Sequence, residues 1–246
     1  MSDLSVSQLL QYVRVQMAAE SLYGYDARKP LILTPGETRS GSILPAWLTE
    51  GNGHASKFTE TDATKFVSEW EVIEHKSNTD SGFSGTLFKN KTTGEYVLSI
   101  RSTEFIDDAA RDCEATNDLE IKAKGWAFGQ IDDLEQWYQD SLKSKIGGAT
   151  LNVTGYSLGG HLATAFNLMH NADLNGGEVV TFNGAGVGQI NGADVTAQPS
   201  ALVCTPLQTM MAEFHDYRTN KNGMTQDLMT TAKGKTLYNG IKSAIN

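Results

Sequence analysis

The feature that most constrains this chain is a short segment in its middle. Ala149-Thr-Leu-Asn-Val-Thr154 reads as a β-strand and runs without a loop into Gly155-Tyr156-Ser157-Leu158-Gly159-Gly160. Residues 161–170 then read as a helix, with Leu162, Ala165, Phe166 and Met169 on one face. A strand that passes straight into a helix must turn within one or two residues. A Cβ at Gly155 or Gly159 would clash across such a turn, and Gly160 lets the helix pack close to the sheet.

The pattern is G-x-S-x-G with the right flanks on both sides. In that context it predicts a nucleophile elbow, which holds its Ser in a strained backbone conformation with the hydroxyl exposed. The N-terminus of the following helix offers unsatisfied N–H groups and a positive dipole end to a developing oxyanion. The backbone N–H of Leu158 is the first candidate donor. The competing expectation is a glycine-rich strand–helix turn that performs no chemistry.

The rest of the chain supplies a frame. Residues 4–22 predict a helix carrying Leu9, Leu10, Val13 and Met17, and residues 30–56 read as turn-rich around Pro30, Pro35 and Pro45. A short helix is expected over 62–66 and a strand over 70–75. Two runs, Gly85-Thr-Leu-Phe-Lys and Glu95-Tyr-Val-Leu-Ser-Ile-Arg101, flank a turn at Asn90-Lys-Thr-Thr-Gly94. A helix over 130–145 and a strand at Glu178-Val-Val-Thr-Phe182 follow. Leu207, Met210, Met211 and Phe214 sit at i, i+3, i+4 and i+7, and Leu237, Tyr238, Ile241 and Ile245 form a second such face. Alternating strands and helices predict an α/β fold, a mostly parallel central sheet flanked by helices. At 246 residues, with no repeat or linker, one domain over 1–246 is expected.

The elbow segment resembles the α/β-hydrolase fold and, within it, the lipase class 3 (fungal-type lipase) family, in the manner of a bacterial-type member. Three further stretches carry the resemblance. Val97-Leu-Ser-Ile-Arg101-Ser102-Thr103 resembles the family's strand ending in Arg-Gly-Thr/Ser, with Ser102 in place of Gly. Lys124-Gly125-Trp126-Ala-Phe128 resembles its small-aromatic segment, and Val180-Thr-Phe182-Asn-Gly184-Ala-Gly186-Val-Gly188 its next strand and Gly-rich turn. The resemblance covers roughly residues 85–190. It implies acyl transfer: Ser157 attacks an ester carbonyl, a His takes its proton, an Asp orients the His, and water hydrolyses the acyl-enzyme. It also implies a second oxyanion donor at Thr103. The expected activity is hydrolysis of carboxylic lipid esters. Phospholipase A1, thioesterase or acyltransferase chemistry, or a non-catalytic binding module on the same fold, are the alternatives.

The triad is less legible. The expected order is Ser, Asp, His. His161 and His170 lie on the helix after the elbow and are expected to be polar or capping residues. That leaves His215 as the candidate base. Asp194 would satisfy the order but leaves little room for the strands. The stretch from Tyr217 to Met229 resembles the family's strand leading to its acid, which nominates Asp227. No His follows Asp227. Either the base lies beyond residue 246, or the triad is rewired through His215, or the protein lacks hydrolase activity. The apolar face at Leu207, Met210, Met211 and Phe214 is expected either to face the core or to act as a lid in transient contact with a lipid interface.

Composition narrows partners. The net charge is −9 and no basic patch is present, which argues against nucleic acid. Residues 104–118 hold six carboxylates and one Arg, and read as a solvated face rather than a calcium loop. No metal or cofactor is expected. The N-terminus has no Sec-type signal pattern, so a cytoplasmic location or signal-peptide-independent export is expected. Cys113 and Cys204 leave the redox compartment open.

Overall fold

The computed structural model describes residues 4–21, 23, 36–50, 57–102, 121 and 125–188, and residues 207–208, 211–212 and 214–215 of the C-terminal part. Helix α1 (Val6–Ala19) starts at a capping box: Ser5 accepts from the Gln8 N–H while the Gln8 side chain reaches back. Strand β1 (Thr38–Gly41) and helix α2 (Pro45–Glu50) follow. Both lie where the sequence reads as turn-rich, and Pro45 marks the first residue of α2, where a proline fits without loss of a hydrogen bond. Helix α3 (Glu60–Glu69) is capped by Thr59 and carries Glu60 and Asp62 at its positive end. Strands β2 (Trp70–Lys76), β3 (Gly85–Asn90) and β4 (Tyr96–Ile100) then run in sequence.

Helix α4 (Phe128–Trp137) continues through a π-helical turn (Tyr138–Leu142) into α5 (Lys143–Ile146). The single helix expected over 130–145 is therefore interrupted. Glu74 of β2, buried, accepts from Trp137 Nε1 at 2.5 Å and Ser141 Oγ at 2.9 Å and pairs with Lys145, so one carboxylate spans the irregular stretch. Strand β5 (Leu151–Tyr156) leads to α6 (Leu158–His170) and then to β6 (Val179–Phe182).

The six strands lie in sequential order, β1 to β6. Pairing is antiparallel from β1 through β4 and parallel from β4 through β6. The mostly parallel order expected from the strand–helix alternation thus holds for the C-terminal part of the sheet. The reason is connection length. A tight turn between β3 and β4 allows only antiparallel pairing, whereas the helical crossovers after β4 and β5 permit parallel pairing.

Side-chain alternation divides the core between the sheet's two faces. Leu87, Leu98, Ile100, Leu151 and Val153 pack beneath α4 and α6, with Trp126, Leu134 and Phe166. Val72, Phe88, Val97 and Val180 pack against α1, α2 and α3, with Val15, Leu48 and Phe66. This three-layer arrangement, with an elbow between β5 and α6, is an α/β-hydrolase fold. Leu207, Met211 and Phe214 are buried in the first of these clusters, and Phe214 stacks on Phe128 at 5.7 Å. That apolar face is core-facing; Met210 lies outside the described residues. So do the acidic stretch at 104–118, both cysteines and the helix expected at 237–245. No helix among the described residues is long and apolar enough to cross a membrane.

Candidate active site

Ser157 sits between β5 and α6 at φ 53° and ψ −116°. A non-glycine residue in such a region costs about 1–3 kcal/mol and persists only where its surroundings enforce it. Here they do. The Ser157 N–H donates to the Phe182 carbonyl at 3.0 Å. Its own carbonyl accepts from Gly160, His161 and Ala185 at 3.0, 3.2 and 2.9 Å. The elbow is thereby fastened to the first turn of α6 and to the end of β6. The Ser157 hydroxyl has no hydrogen-bond partner among the described residues and is partly exposed.

The glycines behave as the turn requires. A Cβ on Gly155 would stand 2.1 Å from the Gly159 carbonyl oxygen, and one on Gly160 2.7 Å from Gly184 Cα. A Cβ on Gly159 would stand 2.2 Å from the Ile100 carbonyl oxygen and 2.8 Å from that of Arg101. That last contact matters for chemistry. It presses the start of α6 against the end of β4, the strand that delivers the loop beginning at Ser102. Leu158 opens α6, and its N–H finds no acceptor among the described residues, so it is available to an oxyanion beside Ser157. Thr103, the second expected donor, lies outside the described residues.

Two side chains that the sequence did not single out for these roles shape the site. Glu20, at the C-terminal end of α1, is 7% exposed. Its Oε1 accepts the Ser102 N–H at 2.9 Å and its Oε2 accepts the Ser102 hydroxyl at 3.0 Å. Burial pushes the Glu20 carboxyl above the usual carboxylate range, while the Ser102 N–H, the Arg101 charge and Gln16 oppose that rise. Nothing near Glu20 in sequence reveals a partner 82 positions away. The second is His161, fully buried in α6. Its Nε2 accepts the Ala127 N–H at 3.1 Å, so its Nδ1 carries the proton and donates to the Gly186 carbonyl at 2.9 Å. Burial drives its pKa down to about 4, which keeps this tautomer neutral. His161 therefore clasps together two of the family-like stretches, 125–128 and 180–188. Gly125 and Gly188 meet beside it, joined by a 2.8 Å backbone hydrogen bond. This is a structural role, that of the polar rather than the capping residue expected from its place on the helix.

His170 is tied to Glu135 at 2.5 Å, with Asp173 at 3.4 Å, and stays away from the elbow as expected. His215, the candidate base, lies elsewhere too. Its Nδ1 bonds the buried Asp132 of α4 at 2.8 Å, in a cavity of about 290 Å³ shared with Met169, Gln208 and Met211. Met169 is the twelfth residue of α6, about 18 Å along the axis from Ser157 at 1.5 Å per residue. No hydrogen bond among the described residues joins His215 to Ser157. The structure pairs His215 with Asp132, an acid the sequence did not nominate. Asp227 and Asp194 lie outside the described residues. Ser157 and Leu158 are adjacent at the elbow, and the contact described for His215 is with Asp132. Among the described residues no group of three or more His, Cys, Asp or Glu is arranged to hold a metal ion.

The fold and elbow define a hydrolase-like scaffold that holds Ser157 at positive φ between β5 and α6. No protein-family model matches the chain, and no curated protein matches it. Among the solved structures the chain is similar to are three lipases. The Lip2 lipase of Yarrowia lipolytica is 18% identical over 76% of this chain and 61% of its own, with a TM-score of 0.44. A structure described as a fungal lipase is 22% identical over 71% of this chain and 59% of its own, at 0.39. A lipase of Rhizopus microsporus var. chinensis is 13% identical over 72% and 58%, at 0.40. The chain spans from 58% to 61% of the length of these three structures. The likeness is weak at these values, and the fold rests on the sheet order and the elbow themselves.

Proposed function

We propose that this protein is a serine hydrolase that cleaves carboxylic esters, lipid esters among them, through an acyl-enzyme on Ser157. The observation that carries this reading is the backbone at Ser157. A non-glycine residue is held at positive φ by four backbone hydrogen bonds, between a parallel strand and a helix, with no partner for its hydroxyl among the described residues. Strain of that kind serves no packing purpose that a Gly would not serve better. It does aim Oγ at an incoming carbonyl carbon.

In the proposed reaction Oγ attacks the ester carbonyl as a base removes its proton. Negative charge moves onto the carbonyl oxygen and meets the Leu158 N–H and the positive end of α6. Collapse of the tetrahedral intermediate expels the alcohol, which takes up the proton. Water then repeats the sequence on the acyl-enzyme and releases the acid. Thr103 is proposed as the second donor and Asp227 as the acid, both on the family resemblance. The bacterial-type placement rests on that resemblance as well. The base is a histidine whose approach to Ser157 the described residues do not display, with His215 engaged by Asp132.

That engagement favours a second reading, a hydrolase-fold module that binds a ligand without turnover. A series of p-nitrophenyl esters of rising acyl length separates the two. The hydrolase reading predicts turnover that disappears in Ser157→Ala, with longer acyl chains preferred if the substrate is a lipid. Absence of turnover on every ester, with the protein folded, would support the binding module instead.

A further inference from the structure

We infer that Glu20 is a positioning residue for the oxyanion loop, holding the Ser102 backbone in register with the elbow. The inference deepens the proposed hydrolase reading and rests on it. Ser102 is the last described residue of the loop that leaves β4. It is gripped twice by one carboxyl group, through its N–H at 2.9 Å and its hydroxyl at 3.0 Å. The grip is itself braced. Gln16, one turn earlier on α1, donates from Nε2 to Glu20 Oε1 at 2.8 Å and to the Ile100 carbonyl at 3.0 Å. Its Oε1 accepts from the Ser99 hydroxyl at 2.9 Å. Ser99, Ile100 and Ser102 are thus all tied to α1, across the sheet from the elbow helix.

On the opposite side, Gly159 of α6 lies against the Ile100 and Arg101 carbonyls with no room for a Cβ. The end of β4 is therefore clamped between α1 and the elbow. An isolated helix cap would not need a carboxylate that is 7% exposed, with both oxygens aimed at a loop 82 residues away. An oxyanion donor works only if it is already in place when charge develops, within roughly 0.5 Å of its productive position. Glu20 supplies that constraint. Either protonation state satisfies it, since a neutral carboxyl donates to the Ser102 hydroxyl while still accepting its N–H.

The test compares wild type with Glu20→Ala and Glu20→Gln. It reads the melting temperature, amide hydrogen exchange over the peptide containing Ser102, and the kcat and KM on a p-nitrophenyl ester. Gln keeps an acceptor for the N–H and offers a donor to the hydroxyl. Glu20→Ala is expected to stay folded, to exchange the Ser102 amide about tenfold faster or more, and to lose about 10- to 100-fold in kcat with little change in KM. Glu20→Gln is expected to keep most of both. Wild-type exchange and kcat in Glu20→Ala would overturn the inference, as would a Glu20→Gln as impaired as the Ala variant. If Glu20→Ala does not fold, Ser102→Ala, which loses only the hydroxyl contact, should lower kcat severalfold; an unchanged kcat overturns the inference. If wild type turns over no ester, the hydrolase reading fails separately. Exchange then decides alone: faster in Glu20→Ala supports the tie, and unchanged exchange refutes it.

Discussion

Replacing Gly159 by Ala perturbs the close contact that packs the start of α6 against the end of β4. The new Cβ would lie 2.2 Å from the Ile100 carbonyl oxygen, about 0.8 Å inside the 3.0 Å that such contacts require, and 2.8 Å from that of Arg101. Neither obstacle is a flexible side chain. Ile100 is paired with Gly85 on one side and Gly155 on the other, so β4 cannot retreat alone. The first turn of α6 must move outward, taking Ser157 and the Leu158 N–H with it. Overpacking of this kind costs about 1–3 kcal/mol of stability. A displacement near 1 Å at reacting groups costs about 100-fold in rate, or roughly 2.7 kcal/mol of barrier. The assay is steady-state turnover of a p-nitrophenyl ester alongside thermal melting. The expected result is a folded protein with a modestly lower Tm and a kcat reduced about 100-fold. A Gly159→Ala protein with wild-type kcat would show that the geometry of this contact does not set the rate.

Ser157→Gly should relieve the strained backbone, raising stability by about 1 kcal/mol or more while abolishing turnover; denaturant midpoints check the first effect, and a destabilised variant would contradict it. His161 gives a pH dependence of definite sign. Its folded pKa, about 4, lies below the unfolded 6.5, so its contribution is intact above pH 6.5 and is lost as pH falls toward 4. The loss reaches about 3 kcal/mol at 1.36 kcal/mol per unit, and His75, depressed to about 3 by burial, adds in the same direction. Urea midpoints measured from pH 7 to pH 4 should fall more steeply for wild type than for His161→Gln, and parallel slopes would refute the clasp. His215→Ala removes a partner of the buried Asp132 and should lower Tm by a few degrees. It should leave the reactivity of Ser157 unchanged, and a large loss of reactivity would instead make His215 the base.

Much of the fold was legible because it is written in local pattern. The 3.6-residue period of α1 and α6, the β3–β4 hairpin and the strand–elbow–helix run all depend on neighbours in sequence. Gly155 was readable because its steric exclusion acts across the turn itself, against Gly159, whereas the clash that keeps Gly159 free of a side chain comes from the distant Ile100 and Arg101 carbonyls and was not readable. Strand β1 and helix α2 were hidden because three prolines nearby signal turns, and only packing of Leu48 against the α3 side of the sheet reveals the helix. The parallel order was overextended because alternation does not reveal how long each crossover must be. Glu20 and His161 escaped for another reason. Their importance comes from partners 82 and 34 positions distant, Ser102 and Ala127, and no spacing rule connects those pairs. The pairing of His215 with Asp132, 83 positions apart, was invisible on the same grounds.

The central claim is that Ser157 is an activated nucleophile. Mass spectrometry of the intact, folded protein after exposure to a fluorophosphonate tests it directly, because only an activated serine reacts. A single adduct is expected on the peptide that contains Ser157, and none on the same peptide of Ser157→Ala. A folded wild-type protein that stays unmodified, or that carries its adduct elsewhere, would contradict the claim.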